Sequence, residues 1–234
     1  MTQEEFGKLI SGSKELISIY NNYMPITNEG YDLAKVRETI ITMTQKSVED
    51  EAECKALIEW MENHEFFTSP ASTRFHGDFD GGLCVHSLQV AYQALKFTES
   101  YFTDFMTTKY AEKYTFTAGD IFIAAIVHDF CKAGFYTVNF RNTKDIFGNW
   151  VKKPYFTVKD DNRNLGHGNE SVLLLLESMP SMLKKRTVIE AISRHMGFSD
   201  ITDTEKINYS NFLTNPLVIL LQLADQTAAG WYDY

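Results

Sequence analysis

The chain has 234 residues, 44% of them hydrophobic, and a formal net charge of −9. That length and apolar content fit one large domain, or one domain with an extension, around a buried core. The acidic balance excludes the broad basic footprint that holds long nucleic acid, but it leaves small phosphorylated ligands open, because a metal centre brings its own positive charge.

Residues 3–22 place Phe6, Leu9, Ile10, Leu16, Ile17 and Tyr20 at helical spacing, and Asn28-Glu29-Gly30 breaks the pattern. Residues 31–65 read as one long helix or two short ones, with Ser47 or Asp50 as the cap of the second. A loop rich in Ser, Thr, Pro and Gly follows over 66–82. One helix is predicted from about Leu83 to Phe97. Another is predicted from about Ala118 to Lys132, with Thr117 as N-cap and Gly134 as the stop. The period then changes. Residues 135–141 and 150–158 are rich in β-branched and aromatic side chains, with Gly148-Asn149 between them, which predicts one β-hairpin inserted at about 135–158. Helices resume near 169–178, 181–195 and 215–228. The expected fold is all-α with that single hairpin. No repeat, low-complexity tract or linker divides the chain, so residues 1–65 read as a helical extension packed on a core spanning 66–234.

Cys54, Cys84 and Cys131 form no C-x-x-C and read as reduced core thiols. The first ten residues are acidic where a signal peptide is basic, and the most apolar run, Leu217 to Leu221, is far too short to span a bilayer. The expected location is cytoplasmic, with no membrane partner.

Five of the six histidines, His76, His86, His128, His167 and His195, carry the chemical signal, together with Asp129 and Asp225. Imidazole and carboxylate are ligands for Mn, Fe, Ni and Zn. Each residue alone has an ordinary explanation: His86 as a core histidine, His167 as a turn residue between glycines, His195 as a helix C-terminal residue before Gly197. The run Ile121 to Val127, however, is apolar all round, which marks a buried helix. A buried helix ending in His128-Asp129-x-x-Lys132 would bear a heavy desolvation cost unless a metal and a phosphate met those charges. Asp225 at the end of the apolar Leu220-Leu221-Gln222-Leu223-Ala224 poses the same problem. Motifs for other chemistries are missing: there is no His-Glu-x-x-His, no zinc-ribbon spacing, no Walker loop and no Gly-x-Ser-x-Gly. The doublet Gly81-Gly82 reads as a turn permitting close approach to the site.

The order His, His-Asp, His, His, Asp, with Arg74-Phe75-His76-Gly77-Asp78-Phe79-Asp80-Gly81-Gly82, Gly166-His167-Gly168, His195-Met196-Gly197 and Leu223-Ala224-Asp225, resembles the HD-domain metal-dependent phosphohydrolases. The prophage-type and exoribonuclease-type branch is the nearest in motif, over about residues 66–228. The resemblance implies an HD-type helical bundle. It implies that His86, His128, Asp129 and Asp225 hold one divalent metal, and that His167 and His195, with Asp129 bridging, hold a second. The identity of the metal among Mn, Fe, Ni, Zn and Mg stays open. It further implies that Lys132 meets the substrate phosphate, and that Arg74 and His76 sit at the mouth beside phosphate or water. Asn169-Glu170 departs from the Glu-Lys that relatives often carry. The exoribonuclease relatives have an OB-type domain ahead of the HD domain, whereas residues 1–65 here read as helical.

The expected activity is therefore hydrolysis of a phosphoester in a nucleotide or short oligonucleotide by a metal-activated water, with Asp129, Lys132, Arg74 and His76 as catalytic groups. Two other readings stand beside it. One is an exoribonuclease or cyclic-nucleotide phosphodiesterase, which a basic groove near the site would favour. The other is a non-catalytic helical binding protein with a closed structural metal. The aromatics Phe75, Phe79, Tyr136, Phe140, Trp150 and Tyr155 either pack the hairpin and loop onto the bundle or stack a base.

Overall fold

The computed structural model describes residues 1–160 and 163–232. Helix α1 (Gln3–Tyr23) starts in a capping box between Thr2 and Glu5 and buries Leu9, Leu16 and Tyr20. A two-residue ribbon, β1 (Ile26–Thr27) with β2 (Gly30–Tyr31), fills the break at Asn28-Glu29. The stretch 31–65 is two helices, α2 (Leu33–Ser47) and α3 (Glu51–Asn63). Asp32 and Asp50 each accept from two backbone N–H groups at a new helix start, which separates them.

Helix α4 (Gly82–Phe105) runs well past Phe97, because Thr98 and Phe102 continue its buried face. Helix α5 (Ala118–Val127) is sealed at its start by a Thr117–Asp120 capping box and is surrounded by α1, α2 and α4. The predicted helix over 118–132 is shorter in the structure. It ends at Val127, and a 3-10 turn over Phe130–Lys132 follows, with Gly134 at φ +63° completing the reversal. Phe130 is fully buried, stacked on Trp60 of α3 at 4.4 Å and edge-on to Phe66 at 5.3 Å, so the turn rests on the N-terminal helices.

Strands β3 (Tyr136–Lys144) and β4 (Trp150–Val158) form the inserted antiparallel hairpin. Helix α6 (His167–Ser178) follows. The predicted helix over 181–195 divides into a 3-10 turn over Pro180–Lys184 and α7 (Arg186–Ser193). Two short helices, α8 (Asp203–Ile207) and α9 (Tyr209–Phe212), occupy a stretch without apolar periodicity, and α10 (Pro216–Trp231) closes the bundle against α4 and α7. The fold is mostly α-helical around the buried α5, with the hairpin as its one substantial β element among the described residues. No helix among them is long and apolar enough to cross a membrane.

The loop over 66–82 is held against α4 by a backbone contact that only glycine permits. A Cβ on Gly82 would lie 2.1 Å from the Gly77 carbonyl oxygen. Gly82→Ala is expected to lower stability by about 1–3 kcal/mol, as overpacking does. Gly7→Ala, on an exposed turn of α1 with nothing within 4 Å, is expected to be neutral or stabilising. Urea unfolding of the two variants checks the pair, and equal midpoints would contradict the contact.

Candidate metal centre

Four helical segments deliver the polar cluster. His86 stands one turn into α4, His128 and Asp129 follow the end of α5, His195 follows α7, and Asp225 projects from α10. His86, His128, Asp129 and His195 are all buried. The early end of α5 frees the Ala125 carbonyl, which accepts a hydrogen bond from His128 Nδ1 at 2.7 Å. The Ile192 carbonyl does the same for His195 Nδ1 at 2.8 Å. A carbonyl only accepts, so each contact puts the proton on Nδ1 and leaves the Nε2 lone pair directed inward, the tautomer a metal ligand needs.

The Nε2 atoms meet around two carboxylates. Asp129 Oδ2 lies 3.2 Å from His128 Nε2 and 3.8 Å from His86 Nε2, while Asp129 Oδ1 faces His195 Nε2 at 3.6 Å. Asp225 Oδ1 lies 3.1 Å from His86 Nε2 and 3.7 Å from His128 Nε2. These contacts lack hydrogen-bond alignment. Nε2 of His86, His128 and His195 and Oδ1 of Asp129 are left with no hydrogen-bond partner among the described residues. Buried polar atoms are rarely left so. Their donor atoms fall into two groups, His86/His128/Asp225 and His128/Asp129/His195, each within 4.8 Å. Imidazole nitrogens and carboxylate oxygens facing one inward point fit a divalent metal.

The charges are mutually dependent. Burial disfavours the Asp129 carboxylate, but Lys132 and His128 outweigh it and hold its pKa well below the usual range. Burial likewise opposes the charge on Lys132, and Asp129, with Oδ2 2.7 Å from the Lys132 ammonium, reverses this and raises its pKa. Burial and the nearby carboxylates pull His128 in opposite directions, and Asp129 leaves it raised. Burial lowers His86, with Asp225 offsetting only part. Lys132 follows Asp129 by three residues, and the 3-10 turn over Phe130–Lys132 holds its ammonium against that carboxylate.

His76 lies against His86, with ring centroids 4.6 Å apart. Burial, then the proximity of His86 and Lys132, push its pKa down to about 4, so it is a neutral imidazole at physiological pH. Arg74 is exposed in the loop over 66–82, two residues before it. His167 is exposed at the first position of α6, after Gly166 at φ +82°, and belongs to neither ligand group. Of the aromatics considered for base stacking, Phe79 is stacked on Tyr31 at 4.5 Å, whereas Phe75, Phe140 and Trp150 are exposed.

A small cavity of about 20 Å³ adjoins the centre and adds Gln89 and Tyr232 to His76, Phe79 and His86. Sequence reasoning did not single out those two. Gln89 sits three residues after His86 on the same helix face, which is the signal that marks it. A larger cavity of about 710 Å³ lies around Thr117 to Asp120, at the opposite end of α5 and roughly 15 Å along its axis from His128. It holds none of the cluster, so the chemistry and not the volume locates the site.

The HD domain family model matches residues 84–230 of the 234. Neither the curated proteins nor the solved structures give a match. The matched span runs from α4 through α5 and α7 to α10, the helices that converge on the buried histidines and carboxylates. The chain belongs to the HD domain family, whose members are generally metal-dependent hydrolases.

Proposed function

We propose that the chain is a metal-dependent phosphohydrolase that cleaves phosphoester bonds of a nucleotide or short oligonucleotide. The observation that carries this reading is the set of unpartnered buried Nε2 and carboxylate atoms with a buried lysine ammonium beside them. His86, His128, Asp129 and Asp225 would hold one divalent metal. Asp129 and His195, together with His167, would hold a second, and of these His167 alone lies outside the cluster. A divalent metal bound there supplies Lewis acidity toward a phosphoryl oxygen and an acidified water as nucleophile.

The chain's own groups do the rest. Lys132, fixed by Asp129, offers a preorganised positive charge to phosphoryl oxygens. The neutral imidazole of His76 orients a water or accepts its proton, and Arg74 meets the phosphate from solvent. A purely structural metal site is closed on all sides. Asp225 keeps about a fifth of its side chain exposed, and the small cavity opens beside His76. That supports catalysis over a non-catalytic metal protein. Three buried free cysteines support a reducing, cytoplasmic location.

A hydrolysis screen with added Mn²⁺ over mononucleotides, cyclic nucleotides and short oligonucleotides tests the reading. Turnover is expected on at least one class and none in His128→Ala. Metal dependence absent from every class would end it. Asp129→Ala is expected to remove most of the divalent metal found by elemental analysis of purified protein, because that carboxylate faces both ligand groups; unchanged metal content would remove its bridging role. Lys132→Ala is expected to keep the metal and to lower kcat/KM by about 10²-fold or more. Parallel loss of metal and activity would place Lys132 with the ligands instead.

A further inference from the structure

The β3–β4 hairpin is the part of the molecule that the bundle does not pack. Isolated two-stranded ribbons are marginal in water, yet this one leaves both faces to solvent. Phe140 is 61% exposed and Trp150 71%, with Ile146 and Phe147 more open still at the tip. The register puts Phe140, Lys144, Trp150, Lys152 and Phe156 on one face, and Arg141, Lys153 and Tyr155 on the other. Rings and cations alternate and touch: Lys144 lies over the Trp150 ring at 5.3 Å and Arg141 over Tyr155 at 5.4 Å.

The charge of this segment is opposite to that of the chain. Neither strand carries a carboxylate. From Tyr136 to Val158 four basic residues stand against one acidic residue, a net +3 in a protein of −9. The one acid, Asp145, is engaged in the turn, where it accepts from the backbone N–H groups of Phe147 and Asn149. The root of the hairpin is tied to the backbone of the turn that follows Asp129. The Phe135 N–H donates to the Lys132 carbonyl, Lys159 Nζ to the Gly134 carbonyl, and the Arg163 guanidinium to the carbonyls of Cys131 and Ala133. The arm grows out of the same turn that presents Lys132.

We propose that this arm is the binding surface for a single-stranded oligonucleotide whose scissile phosphate lies at the metal centre, its bases stacking on Phe140 and Trp150 and its phosphates met by Lys144 and Lys152 on the same face. Alternating rings and cations are the means by which proteins hold single strands irrespective of sequence. Each strand is about 30 Å long, room for a few nucleotides, which agrees with an acidic body that repels a longer chain. A second copy of this acidic chain would also satisfy the charge, but it has no use for rings interleaved with cations, nor for a root at Lys132. The inference rests on the phosphohydrolase reading for the scissile phosphate, and on the arm alone for binding.

The experiment measures fluorescence anisotropy of a labelled phosphorothioate hexadeoxythymidylate, which resists cleavage, with the full chain, the Phe140→Ala/Trp150→Ala double variant and the Lys144→Gln/Lys152→Gln double variant. Hydrolysis of bis(p-nitrophenyl) phosphate with Mn²⁺ is measured alongside. The ring variant is expected to bind about tenfold or more weakly. The charge variant is expected to reduce the log–log salt slope by about 1.4, at about 0.7 per cation removed. Both should hydrolyse the small diester like the unaltered chain. Unchanged affinity and salt slope in both variants would overturn the proposal. So would failure to bind the oligonucleotide combined with a dimer, seen in sedimentation, that Phe140→Ala/Trp150→Ala dissociates, which would assign the arm to a second copy. Arm-dependent binding by a chain that leaves the diester intact would support the binding surface and refute the phosphohydrolase reading separately.

Discussion

Burying the Asp129 carboxylate is the constraint around which the other parts are arranged. An ionised carboxylate in a protein interior is tolerated only with compensating charge and hydrogen bonds. Here the compensation comes first from the Lys132 ammonium three residues on and then from His128 beside it. Helix α5 is buried along its whole length, so the carboxylate at its end lies in the middle of the bundle rather than at its rim. Ending that helix at Val127 frees a carbonyl to fix the His128 tautomer, and the 3-10 turn that follows holds Lys132 against Asp129.

The N-terminal helices support this turn physically. Trp60 of α3 stacks on Phe130, and Phe66 closes against the same ring. Ser171 of α6 accepts from the Cys131 N–H. The turn that carries the catalytic candidates is thus held from below by aromatic packing and from the side by a hydrogen bond, while its ligand atoms face inward. Preorganised groups of this kind do not have to be reoriented when negative charge develops on a substrate.

Much of this was legible in the sequence because it depends on local pattern. The apolar run Ile121 to Val127 announced a buried helix, and the doublet Gly81-Gly82 announced a turn, found with Gly81 at φ +84° just before α4. The change of period after Gly134 announced the hairpin with nearly its observed bounds. The end of α5 was not legible. Phe130-Cys131-Lys132 has helical composition, and the contacts that hold it as a separate turn are tertiary: Phe130 against Trp60 and Phe66, and the Cys131 N–H on Ser171. The short α8 and α9 lack an apolar stripe and exist through tertiary contacts such as the hydrogen bond between Gln222 and Tyr209. For the site, His86, His128, Asp129, His195 and Asp225 come together. His167 does not, since a motif gives chain order but not the direction in which a side chain at a glycine-flanked helix start points.

An exposed ribbon also has free edges, and these invite pairing with any other extended chain, including a second ribbon of the same kind. The arrangement of β4 counters that hazard. Adjacent lysines at 152 and 153 place like charges on both faces of any ribbon-to-ribbon stack, and Pro154 removes a donor from the strand. A proline within a ribbon is accommodated where its nitrogen faces away from the ladder. The same residues that make the arm cationic therefore also act as gatekeepers against aggregation, and neutralising them is a risk to colloidal behaviour at high protein concentration as well as to ligand binding.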